Sequence, residues 1–378
     1  MQETRLKRNY RELVLTGGPS AGKTSTLAYL REELSERGVR VIFRPEVATM
    51  LIQGGITDID RLAGEQRERY FELQRAILLL EHDMRAHYRR LAATFAPEPV
   101  LIVYDRGQMD VAAYVSDEEF QAMLSEHGLT LTDVRDSYDA VIHLHSAAVG
   151  APEHYTTANN PARREQDVEM AARADERTLK AWLGHPHLWV VESREDFDAK
   201  RAEVARIALH ALGMPAPVEI ERKFLLASEP DPAHPVLAEA VAIEIEQHYL
   251  RAPEGVELRV RRRSQAGQET YYRTEKRRGD GIEREEHEAI ITPTEYLRLL
   301  AERDPGRRPL RKTRYCFIHA GHQFELDRIE RPGRRPLWLL EVELLDSGAE
   351  LVLPDFLEIE REVSDDPTYS SASLSAAV

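Results

Sequence analysis

Two stretches of the chain carry residue types that do chemistry. In "LVLTGGPSAGKTST" a pair of glycines brackets a four-residue gap ahead of a lysine and a threonine, Gly17-x-x-x-x-Gly22-Lys23-Thr24. Such a loop wraps backbone N–H groups around phosphate oxygens, while the lysine reaches the outer phosphates and the threonine hydroxyl holds magnesium. It offers Gly17, Gly18, Ser20, Ala21, Gly22, Lys23, Thr24 and Ser25 to a nucleotide. In "VEIERKF", Glu219, Glu221 and Lys223 alternate. Alternate residues of a strand share a face, so one face here carries two carboxylates and an ammonium.

Later segments repeat that charged face: Glu257, Arg259, Arg261 and Arg263; Thr274 and Lys276; Arg284, Glu286 and Glu288; Lys312 and Arg314; Glu325 and Asp327; Glu341 and Glu343. On one strand this describes an antiparallel sheet with a solvated side. Across so many strands, with bases and acids segregated by strand, a closed barrel would gather both around one lumen. Inward charges are costly unless paired or met by counter-ions. A polyanion with a divalent cation satisfies both sets: arginines grip phosphate bidentately, and carboxylates hold magnesium or manganese.

Further candidates flank the first loop. Asp105 ends the apolar run "VLIVYD", where a second-strand carboxylate sits near magnesium. Glu46 ends another run and serves as acceptor-site base or magnesium ligand, or else as a solvent-facing carboxylate at a helix N-terminus. Arg163, Arg164 and Arg173 form either a lid that clamps a transferred phosphoryl group or a solvated helix face. His143 and His145 share a strand face without a third partner and read as structural.

The elements that position these residues fall into two regimes. From about Glu12 to Leu212, short apolar runs alternate with segments of helical period, the pattern of a parallel α/β sheet. After "LGMPAP" the chain turns to strands joined by Gly, Pro and Asp turns. One helix, "TPTEYLRLLAE", interrupts them, with Thr292 as its N-cap. The expected organisation is a P-loop domain over 1–213, a linker over 214–217 and an antiparallel domain over 218–378. The 51 lysines and arginines face 66 acidic residues, a formal net charge of −15, which argues against extended nucleic-acid contacts. A single cysteine, Cys316, excludes a disulfide framework. The polar N-terminus does not read as a signal peptide, and no apolar run approaches the roughly 18 residues of a membrane span. A cytoplasmic protein is expected.

The series "GGPSAGKT", "PEVA", "YDRGQMD" and "YTTANNPARRE…AW…HP" is similar to the AAA-type P-loop family related to nicotinamide-ribose kinases, over residues 10 to 213. The resemblance implies ATP or GTP as ligand, with Lys23, Glu46 and Arg163 as catalytic groups and Arg163 and Glu165 at lid positions. From Val218 to about Leu374, "EIERK", "LRVRRR", "TEK", "REEHE", "RKTRY", "FELDRIE" and "LEVEL" resemble the CYTH, or triphosphate tunnel metalloenzyme, superfamily. That implies an eight-stranded antiparallel tunnel for inorganic triphosphate, polyphosphate or nucleoside triphosphates with magnesium or manganese. Glu219, Glu221, Glu341 and Glu343 then carry over as metal ligands, with Asp327 binding the metal or bracing an arginine. Lys223, Arg259, Arg261, Lys276, Lys312 and Arg314, joined by Arg284, carry over as phosphate ligands, and Glu343 activates the attacking water. The fusion resembles the TRP-channel-trafficking nucleotide-binding family in arrangement. Two readings stay open: a two-site phosphohydrolase, or a nucleotide-dependent binder whose tunnel holds a phosphorylated ligand or lipid head group without cleaving it.

Overall fold

A computed structural model describes residues 8–56, 59–150, 168–193, 197–214, 220–278, 284–345 and 351–376. The chain divides into two compact units, Asn9–Pro215 and Ala216–Val378.

In the first unit the apolar runs become five strands: β1 (Tyr10–Gly17), β2 (Arg40–Arg44), β3 (Val100–Asp105), β4 (Ala140–Leu144) and β5 (Leu188–Val191). All pairings are parallel, in the order β2-β3-β1-β4-β5. The central strands carry unbroken apolar runs because both faces of a parallel sheet are covered by helices. Leu13, Val14 and Leu15 of β1 and Leu101, Ile102 and Val103 of β3 are fully buried. In such a sheet ligands bind beyond the C-terminal strand ends, where Gly17 and Asp105 lie.

The second unit is an antiparallel sheet of nine strands: β6 (Ile220–Leu226), β7 (Val241–Tyr249), β8 (Val256–Gln265), β9 (Gln268–Arg278), β10 (Arg284–Ile291), β11 (Leu310–His319), β12 (His322–Ile329), β13 (Leu337–Leu344) and β14 (Ile359–Glu362). Their order is β10-β9-β8-β7-β11-β12-β13-β6-β14. The expected eight-stranded closed ladder is therefore corrected on two points. A ninth strand is present, and among the described residues β10 and β14 are edges that do not pair with each other. β14 suits an edge: Glu360, Arg361 and Glu362 are exposed, and charged side chains discourage further strand addition.

One face of this sheet is apolar. Phe224, Leu226, Phe324, Leu326, Leu340 and Val342 cluster there with Phe317 and Leu357. At the other end of the sheet Val260 joins Ile291, Tyr296 and Leu299 beneath the helix Pro293–Leu299. Thr292 caps that helix by accepting from the Glu295 N–H at 3.1 Å. The opposite face is charged, except at one end, where Leu225, Leu310, Ile329, Leu337, Leu339 and Val363 form a second apolar cluster. Tyr369 and Leu374 of the C-terminal segment lie against that cluster.

Candidate phosphate sites

The glycine-rich loop joins β1 to the helix Lys23–Glu36. Its glycines are there for room and for backbone conformation. Gly17 has φ +139°, and a Cβ there would stand 2.1 Å from the Leu144 carbonyl oxygen. A Cβ on Gly18 would meet Asp175 at 2.6 Å, and one on Gly22 the Phe197 ring at 2.6 Å. The loop is held from behind. Asp175 Oδ1 accepts from the Gly18 N–H at 2.7 Å and the Ser146 N–H at 3.1 Å. Lys200 Nζ donates to the Ala21 carbonyl at 3.1 Å, and Ser146 Oγ donates to the Pro19 carbonyl.

Lys23 Nζ lies within the loop, donating to the Gly17 and Gly18 carbonyls at 3.2 and 3.3 Å. Burial and the nearby Arg106 guanidinium lower its pKa. Thr24 and Ser25 open to solvent at the helix start. Glu46, at the start of the helix after β2, and Asp105, at the end of β3, both act electrostatically on Lys23. Arg106 ties Glu46 (2.7 Å) to Asp110 (3.1 Å). Burial raises the Glu46 pKa, but Arg106 and Lys23 outweigh it, and the net shift is downward. Asp105 is pushed up by burial, with Lys23 opposing, and its Oδ1 is buried without a hydrogen-bond partner. A buried carboxylate oxygen acting on Lys23 of the phosphate loop fits a hard cation carried by a nucleotide. Arg106 itself holds φ +64°, a conformation that costs a non-glycine residue strain and gathers at functional sites.

Arg163, Arg164 and Glu165 lie outside the described residues. Arg173 is exposed on the helix Val168–Trp182 and pairs with Glu169 at 2.5 Å, so the structure leaves it on a solvated face.

On the charged face of the second unit, Lys223 and Glu341 stand opposite each other in the β6–β13 ladder, as do Glu221 and Glu343. Lys223 Nζ donates to Glu221 Oε2 at 2.7 Å and to Glu341 Oε1 at 2.8 Å. Arg314 lays a fork on Asp327, Nε to Oδ1 at 2.8 Å and Nη2 to Oδ2 at 2.7 Å, and the same Nη2 reaches Glu341 Oε2 at 2.7 Å. Lys312 pairs with Asp327 and stands 3.9 Å from Glu341. Arg314 also reaches Glu325. Asp327 thus braces Arg314 and Lys312.

Burial would suppress ionisation of Glu341, but Lys223, Lys312 and Arg314 hold its carboxyl well below the usual range. Burial alone would lower the Lys223 pKa; Glu341 and Glu221 raise it. Glu221 is raised by desolvation and then by the neighbouring Glu341 charge, although its side chain is 37% exposed to solvent along the face. Two like-charged carboxylates held this close are relieved by a cation, and their oxygen donors suit magnesium or manganese.

The basic strands supply the other half. Arg261 donates to Glu288 at 2.7 Å, which also accepts from Thr274 Oγ1 at 2.8 Å. Arg259 lies 4.0 Å from Glu257, and Arg263 is buried. Lys276, on β9, acts on the Glu221 carboxyl on β6, so acidic and basic strands face each other. Glu219 lies outside the described residues. Of Arg284 the backbone alone is described, opposite Arg278 in the β9–β10 ladder.

One group had no sequence signal. His143 and His145 do have a third partner: Asp175 lies 3.3 Å from His143 Nε2 and 2.6 Å from His145 Nδ1. No spacing rule links residues on a strand to an acid about 30 positions on; only the packing of the helix Val168–Trp182 joins them.

The loop after a parallel strand and the carboxylates around its lysine define the first unit as a P-loop nucleotide-binding domain. A family described as AAA domain matches residues 12–200, and the chain belongs to it. Among curated proteins none matches. The second unit is similar to the inorganic triphosphatase NE1496, at 32% identity over 43% of this chain and 96% of that one, with TM-score 0.31. A second structure, of the hypothetical protein NE1496, is 34% identical over 43% and 99%, with TM-score 0.31. PH1012 protein from Pyrococcus horikoshii OT3 is 25% identical over 34% and 80%, with TM-score 0.27.

Proposed function

We propose that the chain is a two-site, cytoplasmic phosphate-handling enzyme: a P-loop unit that binds ATP or GTP, and a magnesium- or manganese-dependent hydrolase of inorganic triphosphate or nucleoside triphosphates. The observation that carries the second activity is the Lys223 ammonium held between Glu221 and Glu341, with Lys276 of β9 also acting on the Glu221 carboxyl. Phosphoryl transfer asks for positioning and charge stabilisation more than covalent chemistry, and this face offers both.

In this reading Lys223, Arg259, Arg261, Lys276, Lys312 and Arg314 draw the phosphate chain along the face and stabilise charge on its oxygens as it develops. Glu343, opposite Glu221, takes the proton of the attacking water. Glu221, Glu341 and Glu219 would hold the cation, which neutralises charge on the bridging oxygens when bound. Asp327 keeps Arg314 and Lys312 in place. In the first unit Lys23 binds the outer phosphates, Thr24 and Asp105 would hold magnesium, and Glu46 with Arg163 serves phosphoryl transfer to an acceptor.

The test is phosphate release from inorganic triphosphate by the intact chain with magnesium or manganese, against the same reaction in chelator. Release that depends on the cation supports the hydrolase. Tight triphosphate binding without release under either cation overturns it in favour of a nucleotide-dependent binder.

A further inference from the structure

His143 and His145 take no part in the phosphate sites described above, and Asp175 serves them only by accepting from the Gly18 N–H. The ligand-capable atoms of these three residues nonetheless lie within 4.8 Å of one another. His143 is fully buried, and neither of its ring nitrogens makes a well-aligned hydrogen bond, although Nε2 is aimed at Asp175 Oδ1 from 3.3 Å. Burial disfavours the charged form of this imidazole, and Asp175 is the carboxylate that opposes that effect. His145 faces the same carboxylate through Nδ1 at 2.6 Å. Its other nitrogen, Nε2, points toward the Glu192 carboxylate from 3.9 Å, beyond hydrogen-bond distance.

We propose that His143 Nε2, His145 Nδ1 and Asp175 Oδ2 form a site for a borderline transition cation, with Zn2+ the best match to two imidazoles and one carboxylate. Bond lengths near 2.0–2.1 Å place tetrahedral ligand atoms about 3.3 Å apart, so side-chain adjustments on the order of 1 Å assemble it. Asp175 can give Oδ2 to the cation while Oδ1 keeps the Gly18 and Ser146 amides. The site therefore sits directly behind the phosphate loop. It is separate from Thr24 and Asp105, whose oxygens suit magnesium. A cation here fixes Asp175, and through it the foot of the loop.

The experiment is titration of the metal-free chain with Zn2+ by equilibrium dialysis, with Co2+ absorption as a report on geometry. The expected result is one Zn2+ per chain and visible d–d bands of tetrahedral cobalt. Zinc affinity should fall at least about a hundredfold in His145→Ala and in His143→Gln. The Lys23→Ala chain should bind zinc as the parent does, whatever becomes of its nucleotide binding. His145 is partly exposed, so its variant tests the site even where His143→Gln folds poorly. Zinc binding that is undiminished in folded His145→Ala, or no stoichiometric zinc in the folded parent, overturns the proposal.

Discussion

Lys276 and Glu221 stand on strands separated by five others in the sheet order, yet the lysine ammonium acts on the glutamate carboxyl. Neighbouring strands lie roughly 4.8 Å apart, so a flat sheet would hold β9 and β6 far beyond electrostatic reach. The sheet must curl its charged face inward. That curl brings the acidic and basic strands of one face toward each other.

Glu341 is the hinge of the acidic half, since Lys223, Arg314 and Lys312 all converge on it. Removing one partner of a buried charge network costs about 3–5 kcal/mol. Glu341→Ala is expected to destabilise the second unit by that order. Hydrogen exchange of the β6 and β13 amides in urea measures it; protection equal to the parent's would show that the pairs contribute little.

Gly17 tolerates no side chain, because the Leu144 carbonyl occupies the space and φ is +139°. Gly17→Ala should displace the loop from β4 and weaken ATP binding at least about tenfold, a loss of 1.4 kcal/mol or more. Titration with a fluorescent ATP analogue reads this directly, and unchanged affinity would remove the loop from the nucleotide site.

Glu81 is buried beside Arg44 at 3.4 Å, and burial pushes its pKa up to about 7 against the opposing guanidinium. A carboxyl raised in the folded state contributes stability that is complete below its unfolded pKa, near 4.5, and is lost as pH rises through 7. The loss is about 3 kcal/mol at one pKa unit per 1.36 kcal/mol. The stability of Glu81→Gln minus that of the parent should rise between pH 4.5 and 8. A flat difference would mean that Arg44 keeps the carboxylate charged throughout.

Asp105 has a buried oxygen with no hydrogen-bond partner. Asp105→Asn should weaken ATP binding in the presence of magnesium and leave metal-free binding nearly as it is. Calorimetric titrations with and without chelator separate the two, and equal losses in both would take Asp105 off the cation.

Much of this was legible in the sequence because it is local. The residues from Gly17 to Thr24 carry their own strand, loop and helix start, and the alternation through Lys312, Arg314, Glu325 and Asp327 announces one charged face. The open ladder was not legible, since whether β10 meets β14 depends on accumulated twist and curl rather than on either segment. Nor was the apolar end of the charged face: Glu221, Lys223 and Leu225 share one side of β6, and only the fold shows that Leu310, Ile329 and Leu337 gather around the last of them. The contact of Asp175 with Gly18 spans 157 positions and has no local trace at all.

Under the proposed function the charged sheet hydrolyses triphosphate independently of the phosphate loop. Phosphate release from inorganic triphosphate and from ATP, with magnesium or manganese, should be compared for the parent, Lys23→Ala and Glu219→Ala. Glu219→Ala is expected to abolish triphosphate cleavage while Lys23→Ala spares it. Cleavage that survives Glu219→Ala, or that falls with Lys23→Ala instead, would contradict it.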